Sequence, residues 1–321
     1  MPVDLPLSLL VVLLLVLGLV WYHRTASRRR RAARQLSGIA DQAEALHEAG
    51  RDDEAIALIG RELELSRGSI HSNLDRVRHA MLLRDMALHL HLAGRLAEAL
   101  PYATEAADLT DSLAERYPAD AVAPSLTLGL LLSGLGQDEA AVHRFRQARR
   151  YVVLSGVAGL DASADAERVY VLANLAMALR RTGEGAEALA LAAEAVDLTR
   201  YIKYAKLPPH AEGTAGWAHG ALALTLTDAG EDGRVAAADA LAIWQGLTER
   251  GVYGPDSEGL AASLFFMGYA LRPFDPAPAA GFARRAVDML TRLESGTPGR
   301  GGRRLGEAQA LVEALAGTEQ P

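Results

Sequence analysis

The 321-residue chain has no cysteine. A disulfide framework, thiolate catalysis and cysteine-ligated metal are therefore excluded. Lysine is almost missing as well. It occurs only at Lys203 and Lys206, so 31 of the 33 basic residues are arginine, in an alanine-rich chain whose bias is that of a high-GC genome. No segment alternates apolar and polar residues between hairpin turns, which leaves no strand to expect. Catalytic signatures are missing too: there is no Walker A loop, GxSxG elbow, HExxH, GxGxxG or helix-supported DxD pair. The nine histidines are scattered, and His89 and His91 would project about 200° apart on a helix, so they do not face one metal together. Neither metal, cofactor nor catalytic residue is expected.

Long apolar runs are confined to one place. Residues Leu5 to Tyr22 (LPLSLLVVLLLVLGLVWY) carry no charge and meet six arginines, Arg24, Arg28, Arg29, Arg30, Arg31 and Arg34. As a helix the run covers roughly 27 Å, close to the hydrocarbon thickness of a bilayer. Leu5, Leu13 and Leu17 belong to its apolar body, Trp21 and Tyr22 suit the headgroup boundary, and the arginines hold the following chain on the cytoplasmic side. A cleaved signal peptide is the rival reading, but no basic residue precedes the run and no small-x-small site follows it. The expectation is a single-pass anchor at 1–23, a basic juxtamembrane segment at 24–35, and a cytoplasmic body. That body is acidic: residues 35–321 hold 27 basic and 39 acidic side chains, a net charge of −12. Such a surface repels nucleic acid and anionic lipid, which leaves the arginine collar as the part that meets the bilayer surface.

One pattern recurs along the body: an apolar helix, a glycine turn, then a helix that opens with acidic and small residues. It is found at LHEAGRDDEAIALI, LHLAGRLAEALPYATEA, LSGLGQDEAAVHRFRQA, ALRRTGEGAEALALAAEA and LTDAGEDGRVAAADALA. The turn glycines Gly50, Gly94, Gly136, Gly183 and Gly230 are 44, 42, 47 and 47 residues apart. A sixth copy, Ser257 to Leu293, replaces the glycine turn with RPFDPAP. Glycine ends the first helix in a conformation that a Cβ opposes, and Asp138, Glu139 and Glu187 then suit the positive N-terminus of the second. Alanines such as Ala99, Ala106, Ala188 and Ala195 let backbones approach. A helix pair that is apolar on two sides folds only by stacking on neighbours, so the pattern predicts an all-α solenoid of about six helix-turn-helix units.

These features resemble the tetratricopeptide repeat (TPR) family over about residues 36–293. The period is nearer to the long-helix kinesin-light-chain type common in large bacterial TPR proteins, and Glu105–Ala140 is similar to that unit almost throughout, with Tyr117 and Pro118 where the long second helix is expected to end. Related helical-hairpin arrays share much of the pattern. Pro101 sits early in a second helix, where it is tolerable only within the first turn. The resemblance implies a right-handed α-solenoid whose first helices line a concave groove for peptides or partner helices. In the best-matched copy, VYVLANLAMALRRTG, it places Tyr170, Ala173, Asn174, Met177, Arg180 and Arg181 on that groove, and Trp217 in the fifth copy. It further implies that Asn174 holds a ligand backbone, while Asp85, Thr127 and Ala221 at the equivalent positions do not reproduce a carboxylate clamp across two repeats.

Three other features have competing readings. RYIKYAK (Arg200–Lys206) is either an interface mix of lysine and tyrosine or simply a basic helix end. Trp244 is read as core. Residues 294–304 (ESGTPGRGGRR) read as a flexible linker with solubilising arginines, and 305–321 as a short helix that caps the last repeat, followed by a tail. The expected function is a membrane-tethered TPR scaffold that binds a protein or peptide partner at the cytoplasmic face. The partners are thus a protein or peptide and, through the N-terminal helix, the lipid bilayer, with no nucleic acid and no metal. A peptide-responsive regulator is the alternative and an enzyme the weakest reading, since a solenoid seldom encloses a pocket that perturbs pKa values.

Overall fold

A computed structural model describes residues 38–47, 49–156, 162–299 and 301–317. All regular structure among the described residues is helical. Leu5, Leu13, Leu17, Trp21, Tyr22 and the arginine collar lie outside them, and no described helix is long and apolar enough to cross a membrane.

The described residues fall into two compact units, one up to Ser69 and one from Ile70 onward. In the first, helix α1 (residues 38–47) turns at Gly50 into α2 (Asp52–Arg67). Ile39 and Ala43 are buried on α1, and Ala55, Ile59 and Leu63, four residues apart, form the buried stripe of α2.

Among the described residues the second unit holds five further hairpins, of which the first three are α3 (Asn73–Leu92) with α4 (Leu96–Asp111), α5 (Pro118–Gly134) with α6 (Asp138–Ser155), and α7 (Ala162–Thr182) with α8 (Gly185–Thr199). Short 3-10 turns at Tyr204–Lys206 and Pro209–Glu212 lead to α9 (Gly213–Asp228) and α10 (Arg234–Glu249), then α11 (Glu258–Leu271) and α12 (Pro276–Gly296). A last helix, α13 (Gly302–Ala316), follows. Within this unit each second helix, α4 to α12, packs on its own first helix and on the helix that follows, which makes a continuous two-layer stack.

The turn chemistry is the same in five hairpins. Gly50, Gly94, Gly136, Gly183 and Gly230 adopt φ between 71° and 87°, where a side chain costs about 1–2 kcal/mol. The next residue's N–H then reaches back to a leucine carbonyl five positions earlier, Leu46, Leu90, Leu132, Leu179 or Leu226, at 2.8–2.9 Å. This 6→1 bond satisfies a helix-end carbonyl and sets the reversal. The sixth hairpin uses proline instead: the N–H groups of Phe274 and Asp275 both donate to the Leu271 carbonyl at 2.9 Å, and Pro276 opens α12 where its missing N–H is harmless. Alanines of the second helices, among them Ala99, Ala106, Ala141, Ala148, Ala188, Ala195, Ala240 and Ala283, are fully buried, which lets the layers close.

Three local readings change. Helix α4 ends at Asp111, so Pro118 opens α5 rather than closing the long second helix. Pro101 is the sixth residue of α4, beyond its first turn, and the helix continues past it with the ring exposed to solvent. The stretch read as a linker at 294–304 is partly helical: α12 runs through Gly296 and α13 begins at Gly302. Between them the Glu294 carboxylate accepts from the N–H groups of Gly299 at 2.7 Å and Gly301 at 3.1 Å. Composition registers the glycines but not the carboxylate that gathers their N–H groups.

Candidate binding groove

The first helices of the second unit share one inner face, and a cavity of about 490 Å³ lies along it. That volume is within the range of small-ligand and peptide side-chain pockets. Leu88 and His91 come from α3, Leu130 and Ser133 from α5, and Tyr170, Asn174, Met177 and Arg181 from α7. Trp217 of α9, Trp244 of α10 and Glu258 of α11 continue the wall. Five of the expected groove residues, Tyr170, Asn174, Met177, Arg181 and Trp217, are therefore brought together. Arg180 is not among them: its guanidinium donates to Asp228 at 2.9 Å in the next hairpin and lies 5.7 Å from the Tyr269 ring. Ala173 is fully buried between helices and does not reach the groove.

Local geometry sets what these groups offer. Asn174 donates from Nδ2 to the Tyr170 carbonyl one turn earlier at 2.8 Å, which fixes the amide against its own helix. Asp85, Thr127 and Ala221, at the equivalent positions, are buried, so this column is mainly a packing stripe. Burial, helped by Glu258, pushes the Tyr170 hydroxyl up to about 12, so the phenol stays neutral and able to donate. Trp217 meets Trp244 edge-on at 5.7 Å and Phe266 at 6.2 Å. Trp244 is core, as expected, yet it also borders the cavity, and its indole N–H is buried with no partner among the described residues.

The far side of the groove is formed by the chain's own C-terminal segment. Arg303 of α13 donates to the Ser133 carbonyl and makes a two-pronged contact with Asp138, at 3.1 and 2.5 Å. Glu307, one turn later, accepts from Arg181 Nε at 3.1 Å, and Arg181 also donates to the Ser133 hydroxyl at 3.2 Å. Arg304 donates to Glu258 at 2.8 Å while its guanidinium lies 4.3 Å over the Trp217 ring. Arg303 and Arg304, read from sequence as linker arginines, are thus groove contacts. The available signal was their place immediately before an apolar-periodic helix, with Glu307 four residues after Arg303 on the same face.

Other candidates stand apart from this site. Arg200–Lys206 is the loop and 3-10 turn after α8, rather than the end of the helix itself, with Tyr201 and both lysines exposed and Ile202 buried. His89 is buried while His91 borders the cavity. No group of three metal-ligating side chains occurs among the described residues.

No protein-family model and no curated protein matches the chain. Solved structures do. The apo form of RapI aligns with TM-score 0.53 at 11% identity, over 87% of this chain and 99% of that one. The Rap conjugation gene regulator of plasmid pLS20, in complex with a Phr peptide, aligns with TM-score 0.51 at 15% identity, over 85% of this chain and 70% of the other. The nearly identical TPR-like repeats of a kinesin light chain from Podosopora anserina align with TM-score 0.50 at 17% identity, over 68% and 97%. At these identities the likeness is one of fold, an all-helical TPR-like repeat solenoid.

Proposed function

We propose that this protein is a helical-repeat scaffold that binds a protein or peptide partner in the groove lined by α3, α5, α7, α9 and α11, and that its work is recognition rather than catalysis. The observation that carries the reading is the 490 Å³ cavity, in which aromatic faces (Tyr170, Trp217), an amide (Asn174) and charged groups of both signs (Arg181, Glu258) converge from three first helices. Apolar walls with a few placed polar groups suit an extended or helical peptide. A regulator of similar fold has been solved in complex with a peptide, which supports a peptide partner for this chain.

The finer part of the proposal is location. The apolar run Leu5–Tyr22 and the arginines behind it suit a single-pass anchor that holds the repeats at the cytoplasmic face. Tethering raises the effective concentration toward other membrane-associated proteins, so modest groove affinities suffice. The groove is tested by crosslinked purification of the full chain beside a Leu88→Ser, Leu130→Ser variant, two half-buried positions on the cavity wall. Partners lost from the variant alone support groove recognition. Identical partners from both proteins would move recognition to another face. A second reading, a regulator whose groove is occupied until a ligand arrives, is favoured by the position of α13.

A further inference from the structure

The first turns of α13 occupy the groove as a ligand would. Three side chains within five residues, Arg303, Arg304 and Glu307, meet complementary groups on five different helices: the Ser133 carbonyl on α5, Asp138 on α6, Arg181 on α7, Trp217 on α9 and Glu258 on α11. A cap for the last hairpin has no need of this. The capping task is performed by the adjoining apolar stripe of α13, Ala308, Leu311 and Leu315, which belongs to the cluster built on Leu290, Ala286 and Phe266. Polar edge and apolar stripe thus have separate partners.

We infer that α13 is a displaceable internal occupant of the groove, and that the external ligand is an amphipathic helix of the same chemistry: two adjacent arginines, a carboxylate three or four residues later on the same edge, and an apolar stripe adjoining that edge. This rests on the groove reading given above and specifies its ligand and its regulation. Asp138 and the Ser133 carbonyl form a socket for one guanidinium, Glu258 with the Trp217 face a socket for the second, and Arg181 the socket for the carboxylate. Each contact keeps some access to solvent, with side-chain exposures between 14% and 31%, so water or an equivalent side chain can take over these groups when α13 leaves. The occupant is retained because it is tethered, and a free ligand competes against that local concentration.

The test uses the full chain in detergent micelles, as wild type and as an Arg303→Glu, Glu307→Arg variant. This variant sets Glu beside Asp138 and Arg beside Arg181 while leaving the groove wall and the apolar stripe of α13 untouched. The probe is a labelled peptide with the wild-type sequence of residues 301–317. Because an occupied groove weakens apparent affinity by the fraction open, the variant is expected to bind the peptide at least ~10-fold more tightly than wild type, with faster hydrogen exchange across 302–316. Equal peptide affinity in the two proteins, with or without a change in exchange, would overturn the inference and leave α13 a structural cap. A variant that loses its helical circular dichroism is replaced by Glu307→Gln alone, judged by the same two readings. Failure here leaves the groove reading standing, since that reading depends on partners lost through Leu88 and Leu130 and not on α13.

Discussion

Gly94 and Gly299 stand backbone against backbone. A Cβ on Gly299 would lie 2.4 Å from the Gly94 carbonyl oxygen, and one on Gly94 would lie 1.9 Å from the carbonyl oxygen of Pro298. Both glycines adopt positive φ, 75° and 91°. The turn that reverses α3 into α4 is thereby also the surface on which the chain after α12 comes to rest, more than two hundred residues later.

This contact separates two roles of a turn glycine. Gly136 has a similar φ of 78° but open space around its Cβ position. Gly136→Ala is expected to cost only the backbone strain, about 1–2 kcal/mol. Gly94→Ala should cost that and a further ~1–3 kcal/mol of overpacking, and should speed hydrogen exchange across 297–304. Chemical denaturation and exchange mass spectrometry measure both. Equal costs for the two variants would mean that the Gly94 contact yields freely.

Acid should loosen α13. Burial pushes the Glu307 carboxyl up, but Arg181 and then Arg304, Arg180 and Arg303 outweigh it and hold the group below the ordinary glutamate value. Asp138 is the acidic group on the other side of these arginines. A carboxyl depressed in the folded state contributes stability that is complete above its unfolded value, about 4.3, and is lost as pH falls through the lower folded value. Exchange at 302–316 is therefore expected to accelerate below about pH 4. Glu307→Gln should exchange faster already at pH 7 and show a smaller acid step. An acid step of equal size in both proteins would place its origin elsewhere.

The repeat array was legible because it is written locally. Leu46, Leu90, Leu132, Leu179 and Leu226 each precede a turn glycine by four residues, and that spacing is the 6→1 bond itself. Tyr170, Asn174, Met177 and Arg181 were placed on the groove by the resemblance to TPR repeats, and all four border the cavity. The contacts of α13 are of another kind: Arg181 meets Glu307 across 126 residues and Arg303 meets Asp138 across 165. No periodicity within α13 announces which distant corner will receive it, so Arg303 and Arg304 read as solvated. Arg180 misled for the opposite reason: its helix position suits the groove, but Asp228 of the next hairpin draws it away.

The N-terminal reading is checked by fractionation. The full chain is expected to sediment with membranes and resist carbonate extraction, whereas a chain lacking residues 1–23 is expected in the soluble fraction. Replacing Arg28, Arg29, Arg30 and Arg31 together with Ser should weaken orientation, seen as partial protease accessibility from the outer side. A mature N-terminus downstream of Tyr22 would convert the anchor into a cleaved signal.

Trp244 is held by three glycines from two other helices. Added Cβ atoms on Gly213 and Gly216 of α9 would stand 2.9 and 2.4 Å from the indole, and one on Gly259 of α11 would stand 2.3 Å away. The indole therefore fills a socket that only glycine leaves open, and the same ring borders the cavity beside Trp217. Gly259→Ala is expected to cost ~1–3 kcal/mol by overpacking. Trp244→Leu removes the obstructing ring and carries its own cost from the void it leaves. If the methyl and the indole compete for one volume, the double variant must be more stable than the two single costs predict, with a coupling of about 0.5–3 kcal/mol. Urea denaturation of the four proteins measures this directly. Strict additivity would mean that α11 shifts to accept the methyl, and that the aromatic wall of the groove is softer than its close contacts imply.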